Sequence, residues 1–324
     1  MNELKKIAVI GCGQVGRRHI QGLGQSESKL AVHIYDRSSE MLEACKVFIN
    51  EIADEVGNIN FSFYNLDDLG KASALYHLTI LASTANERPK QIKSILSKIN
   101  AKNWLLEKPL TQSENELDDL ELSLSGLNVW INHFRRTIPW HQELQKLHFD
   151  NKQVEIIISG SDIGIGCNIS HLVDLVNFWS KEVPINVNIS GLKDCWHHSK
   201  RKGFREVNGK LDITFSQGST LQVISAGKLG KLSINGKFLT TGIEFSIDET
   251  NAIALIGKDV SVKGQMMFQS QMTGMVFDQL EQTGTCNLTP LNIAAKCYRP
   301  VIEALLSHWQ STAEGLGDLS VPLT

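Results

Sequence analysis

The stretch KKIAVIGCGQVGRRH, residues 5–19, decides the fold. An unbroken apolar run, IAVI, ends at Gly11, and further glycines stand at 13 and 16 before the amphipathic segment VGRRHIQGL. The run reads as a buried strand and the segment as the start of a helix. Each glycine has its own steric reason. Gly11 permits the tight turn out of the strand, Gly13 lets a pyrophosphate approach the backbone, and Gly16 lets the helix pack closely on the strand. The N–H groups at the helix start, where Gln14 and Val15 lie, face that phosphate.

A strand–turn–helix with this spacing is a dinucleotide-binding signature, and it carries a second requirement. An acid should stand at the end of the next strand, about twenty residues on. Asp36, closing LAVHIYD (30–36), meets it. Its carboxylate would accept hydrogen bonds from the ribose hydroxyls and repel a 2′-phosphate, which favours NAD. Arg37 beside it can stack on adenine or pair with an extra phosphate, so NADP stays possible.

Working outward, strand-like and helix-like patterns alternate through the first 135 residues, as a parallel α/β sheet requires. Strands are expected at 61–64, 75–83, 103–107 and 128–134, with helices from Ser38 or Ser39, over 87–99, and from a capping box formed by Ser113 and Glu116. Beyond this, 153–160 reads as a strand and 168–179 as an apolar-periodic helix. Residues 185–263 are strand-rich, with turn signals at SQGS, NGK and TTG, and helices are expected at 265–283 and 289–312. The Met-rich run GQMMFQSQMTGMVF reads as helix core. The expected architecture is an N-terminal α/β Rossmann domain over 1–130 and an α+β domain on a mostly antiparallel sheet over 131–324.

Composition narrows the class. The chain has 324 residues, 42 % hydrophobic and 21 % charged, with a formal charge of −3. That balance gives no general attraction to nucleic acid or to acidic membranes. No apolar run reaches a membrane-spanning length, and IAVI is too short for the core of a secretory signal. The six cysteines are scattered with no CxxC pair, which argues against a zinc site or a disulfide framework. The expectation is a cytoplasmic protein with no metal.

Chemistry should lie at the carboxyl ends of the parallel strands. There NWLLE runs into Glu107-Lys108-Pro109. A lysine so placed can donate a hydrogen bond to a substrate oxygen; the plainer alternative is a solvated strand-end ion pair. In NHFRRTIPW (132–140), Asn132, His133, Arg135 and Arg136 are candidates for an anionic group, Arg being suited to bidentate contacts. WHHSKRKGFRE (196–206) is the most basic stretch, with Lys200, Arg201, Lys202 and Arg205 beside Trp196. A loop closing over the site to bind a carboxylate or diphosphate fits it, as does a solvated charged loop.

GCGQVGRRH, ASTANERP (82–89) and LLEKPL (105–110) together resemble the glucose–fructose oxidoreductase / inositol dehydrogenase (Gfo/Idh/MocA) family. GIGCNISHLVDLVNFW (164–179) resembles that family's helix bearing a catalytic histidine. The resemblance implies an NAD(P)-dependent dehydrogenase acting on the CH–OH group of a sugar, uronate or nucleotide sugar. It implies nucleotide contacts from Ser83, Thr84 and Asn86, and a cofactor-side position for Glu107 and Lys108. Lys108 would orient the substrate, His171 would act as acid/base, and Asp174, at i+3, would orient the His171 ring. Arg135, Asn168 and Arg201 complete the candidate substrate-binding set. In similar proteins the exposed face of the second sheet makes subunit contacts, so a homodimer or homotetramer is expected.

The chain departs from the family pattern in two places. Members carry Asp four residues before the histidine, and here that position is Cys167. A neutral thiol cannot stabilise an imidazolium as a carboxylate does, so the role falls to Asp174 or Asp162. The loop after the fourth strand has Pro89, beside Arg88, in place of the usual histidine. The Cys167 change keeps open a dinucleotide-binding sensor or partner subunit without turnover; a third reading is a lyase or glycosidase that uses NAD transiently.

Overall fold

A computed structural model describes residues 4–71, 75–227 and 229–324. In chain order the first stretch contains β1 (Lys5–Ile10), α1 (Gln14–Leu23), β2 (Leu30–Asp36), α2 (Ser39–Glu51), α3 (Ala53–Val56), β3 (Ile59–Asn65), β4 (Leu75–Leu81), α4 (Arg88–Leu96) and β5 (Asn100–Leu106). There follow α5 (Glu114–Ser123), β6 (Val129–Ile131), α6 (Pro139–Leu144), β7 (Val154–Gly160), α7 (Ile165–Ser180) and β8 (Pro184–His198). The remainder is β9 (Arg205–Phe215), β10 (Thr220–Ser225), β11 (Ser233–Phe238), β12 (Glu244–Asp248), β13 (Ile253–Ile256), β14 (Val260–Lys263), α8 (Thr273–Thr283), β15 (Thr289–Pro290) and α9 (Leu291–Gln310).

One compact unit comprises residues up to Glu107, Asp119–Thr137 and Met267–Leu291. Its seven-stranded sheet has the order β15-β6-β5-β4-β1-β2-β3 and is parallel except for β15 on β6. Central β1 buries Ile7, Ala8, Val9 and Ile10 on both faces, as strands of a helix-covered parallel sheet do. Each fully buried aliphatic contributes about 1.5–3 kcal/mol. On α1, Gly16, His19, Ile20 and Leu23 form the buried stripe. Ile20 and Leu23 share a core with Val276, Phe277 and Leu280 of α8. A single cut at 130/131 therefore does not describe the partition, because 267–291 returns to pack on α1 and to extend the sheet.

The second unit comprises Lys108–Asp118, Ile138–Met266 and Asn292–Thr324. Its eight-stranded sheet runs β14-β13-β12-β11-β7-β10-β9-β8, and only the β7–β10 pair is parallel. Strands β9 and β10 form a hairpin, with Leu211 opposite Val223 and Ile213 opposite Leu221. Helix α7 lies against β9 and β10, and α7 begins at Ile165, three residues before its apolar periodicity. Gly164 makes that early start possible by taking φ +68, a left-handed conformation.

Two local expectations change. The Met-rich run is not helix throughout: α8 starts only at Thr273, and Phe268 is exposed while Met272 is buried. At the expected capping box, Ser113 Oγ accepts from the Glu116 N–H at 3.3 Å, but the Glu116 carboxylate accepts from the Gln112 N–H instead of Ser113's. No helix among the described residues is long and apolar enough to cross a membrane.

Candidate functional site

The glycine turn has the geometry its spacing demands. Gly11 takes φ +88, and a Cβ there would lie 3.3 Å from backbone atoms of Ala82 and Ser83. At Gly16 a Cβ would fall 2.0 Å from the Gly11 carbonyl oxygen, so the protein's own packing forces glycine. Gly13 is different. Its φ of −63 suits any residue, and a Cβ would meet nothing within 4 Å. The fold leaves open the place a pyrophosphate needs. The start of α1, where Gln14 and Val15 lie, has no side-chain cap and no acid in its first turn. Its N–H groups are those of an anion-binding helix end.

Asp36 closes β2 beside this turn. One carboxylate oxygen accepts from the Cys12 N–H at 2.9 Å and the other from the Ser38 N–H at 2.9 Å. A carboxylate has about four lone-pair sites, so capacity remains for ribose hydroxyls. Arg37 pairs with Glu87 at 3.2 Å, which engages the guanidinium that a 2′-phosphate would need. In the loop after β4, the Ser83 hydroxyl is buried with no hydrogen-bond partner among the described residues, Thr84 is half-buried and Asn86 is exposed. Arg88, fully buried, donates to the Ser83 carbonyl at 2.7 Å and shapes this loop. An orphaned hydroxyl, an uncapped helix end and an unfilled glycine together fit a bound dinucleotide.

Glu107 ends β5 in a buried polar network within the same unit. Its Oε1 accepts from His19 Nε2 at 2.8 Å and from Asn132 Nδ2 at 2.5 Å. Gln269 Nε2 donates to His19 Nδ1 at 3.2 Å, and Gln269 Oε1 accepts from Asn132 at 2.8 Å. Thr273 Oγ1 also lies 3.0 Å from His19 Nδ1. Glu107 is thus held in place by donors from two other segments. The other candidates of 132–140 diverge: His133 bonds Thr289 Oγ1 at 3.0 Å, and the Arg135 guanidinium lies over the Phe134 ring.

In the second unit, Lys108 Nζ donates to the Cys167 carbonyl at 3.1 Å and stands 3.2 Å from Cys167 Sγ. Cys167, His171 and Asp174 follow at i, i+4 and i+7 and share one face of α7. His171 and Asp174 are buried. Asn168 turns its amide back to the Ile163 carbonyl at 2.6 Å, securing the helix start. Asp162 is exposed in the preceding turn.

The carboxylate beside Cys167 comes instead from Glu206 of β9. Its oxygens accept from the Gly166 N–H at 2.8 Å and the Cys167 N–H at 3.0 Å, the donors an N-cap side chain would satisfy. Burial pushes the Glu206 acid above its ordinary value, while the Gly166 and Cys167 N–H groups and the Lys108 ammonium pull it back.

The basic loop between β8 and β9 is anchored by buried Phe204. His198, Lys200, Lys202 and Arg205 line a cavity of about 780 Å³ with Trp309 and Glu314. Arg205 Nε pairs with Glu314 at 3.0 Å. Arg201 donates to Thr324 Oγ1 at 2.7 Å and does not line the cavity. Among the described residues, no cluster of His, Cys, Asp or Glu is placed to hold a metal ion.

Sequence reasoning did not single out His19 or Glu206. A histidine within the buried stripe of α1 was the signal for the first. The partner of Glu206 lies 39 residues away, on another element, and no local spacing marks it.

Residues 5–129 match the family described as oxidoreductase family, NAD-binding Rossmann fold (GFO_IDH_MocA). No curated protein matches the sequence. Solved structures share the fold along nearly the whole chain. UDP-N-acetylglucosamine 3-dehydrogenase GnnA from Acidithiobacillus ferrooxidans is 16 % identical, TM-score 0.69, over 97 % of this chain and 99 % of that one. An oxidoreductase from Agrobacterium radiobacter, in complex with NAD+, L-tartaric acid and magnesium, is 14 % identical, TM-score 0.68, over 98 % and 97 %. A Gfo/Idh/MocA family oxidoreductase from Vibrio cholerae is 15 % identical, TM-score 0.62, over 96 % of each chain.

Proposed function

We propose, for a chain whose residues 5–129 match the NAD-binding Rossmann-fold oxidoreductase family, a dehydrogenase of a hydroxyl-bearing carbon in an anionic sugar, a uronate or a nucleotide sugar. Bound NAD supplies the acceptor for the carbinol hydrogen and its electron pair. Gly11, Gly13, Gly16, Asp36 and Ser83 hold it, and the Arg37–Glu87 pair favours NAD over NADP. Lys108 donates to the reacting oxygen and fixes its position. His171 takes the hydroxyl proton on oxidation and returns it on reduction; Asp174 orients the ring.

The observation that carries this reading is the contact of Lys108 with Cys167, one helical turn before His171 on the same face of α7. Support for a negatively charged substrate comes from the cavity lined by Lys200, Lys202 and Arg205 in a chain of net charge −3. GnnA, of the same fold, is named for a nucleotide-sugar dehydrogenation. Subunit contacts are assigned to the outward face of the second sheet, where Ile157 and Leu255 are exposed.

The test is a panel of neutral sugars, uronates and nucleotide sugars, followed by absorbance of the reduced cofactor. Reduction of NAD with an anionic member supports the reading. Tight NAD binding with no reduction by any member replaces it with the sensor.

A further inference from the structure

We propose that Glu206, reaching from β9, supplies the negative charge that holds the Lys108 ammonium at the start of α7, in place of a carboxylate at position 167. The proposal rests on Lys108 being the group that positions substrate. Cys167 is the spacer between the two charges. Its N–H donates to Glu206 Oε1 at 3.0 Å, while its carbonyl accepts from Lys108 Nζ at 3.1 Å and its sulfur lies 3.2 Å from that nitrogen. Among the described residues, Lys108 makes no direct ion pair.

Helix capping alone does not account for a glutamate here. The Gly166 and Cys167 N–H groups require acceptors, which a neutral serine, asparagine or glutamine oxygen provides. Glu206 is 8 % exposed, and a buried carboxylate costs more than a buried amide. A nearby cation offsets part of that difference, and Lys108 is the cation that acts on Glu206. On its own strand the neighbouring Arg205 is turned to Glu314, and His197 faces Glu206 across the β8–β9 ladder. Gly164 and Gly166 leave room for the carboxylate: a Cβ at either would lie 3.2 or 3.1 Å from a Glu206 oxygen.

The same geometry predicts a rescue. A carboxylate replacing the Cys167 thiol would stand where Sγ now meets Lys108, and could take over the charge. The experiment is competitive acetylation of the full-length protein, with Lys108 modification quantified by peptide mass spectrometry across pH. This readout requires no substrate, so it fails separately from the dehydrogenase reading, which fails when the wild type turns nothing over. Glu206→Gln should make Lys108 severalfold more reactive at one fixed pH. Adding Cys167→Asp should return it to the wild-type profile. Unchanged Lys108 reactivity in folded Glu206→Gln, or no recovery in the double variant, overturns the proposal. Should Glu206→Gln fail to fold, Cys167→Asp alone should lower Lys108 reactivity, and an unmoved profile overturns it equally.

Discussion

The Lys108 ammonium nitrogen and the Cys167 sulfur lie 3.2 Å apart, at the first turn of the helix that carries His171 and Asp174. A cysteine at this position removes a carboxylate from the helix but not from the neighbourhood, because Glu206 bonds the Cys167 N–H from a different strand.

The three glycines of the first turn separate by function. Gly13→Ala puts a methyl group where the protein has nothing within 4 Å. It should leave thermal stability unchanged and weaken NAD binding by about tenfold or more. Gly16→Ala drives a methyl into the Gly11 carbonyl and should cost about 1–3 kcal/mol or more of stability. Calorimetric NAD titration beside thermal unfolding checks both; equal effects of the two substitutions on either quantity would refute the distinction.

Cofactor preference should respond to the Arg37–Glu87 pair. Exposed ion pairs are worth at most about 1 kcal/mol. Glu87→Ala should therefore raise NADP affinity by about two- to fivefold while leaving NAD affinity nearly unaltered. The ratio of dissociation constants, measured at one ionic strength, decides this. A preference for NADP in the wild type would contradict the assignment of Asp36.

His19 should prove structural. His19→Ala strips the buried Glu107 carboxylate of a hydrogen-bond donor and should destabilise the protein by about 1–3 kcal/mol. Denaturant unfolding reads the loss directly, and a change near zero would show that the network carries no stability.

The pH dependence of stability follows from Glu206. Its folded-state acid is weaker than in the unfolded chain, so the unfolded chain gives up that proton first. Stability from this group therefore falls as pH rises through and above the ordinary glutamate range. Glu206→Gln removes that slope. Relative to wild type, the variant should gain stability between about pH 4 and about pH 7 in thermal unfolding. A relative loss over that interval would contradict the sign.

Much of the first unit was legible because its constraints are local. The Gly11–Gly13–Gly16 spacing and Asp36 depend on one turn and one adjacent strand, and Ser38 caps α2 through the Met41 N–H as its position suggests. Lys108 was named from the EKP motif, and His171 from the resemblance of its helix. Glu206 was not, since its meaning arises only when β9 is laid against the start of α7. Arg201 was chosen from four neighbouring cations by composition, whereas hairpin geometry sends its side chain to Thr324 and gives the cavity to Lys200, Lys202 and Arg205. The return of 267–291 to the first sheet was hidden for the same reason: β15 has two residues and acquires its identity from pairing with β6.

Steady-state reduction of NAD by wild type, His171→Asn and Lys108→Met, with the best anionic sugar of the panel, tests the central claim most directly. The account predicts NAD dissociation constants within about twofold of wild type, because the substitutions lie outside the glycine turn. It predicts kcat lower by about 10²–10⁴ for His171→Asn, the value of a positioned acid/base, and kcat/KM lower for Lys108→Met. Near wild-type turnover by His171→Asn would contradict it.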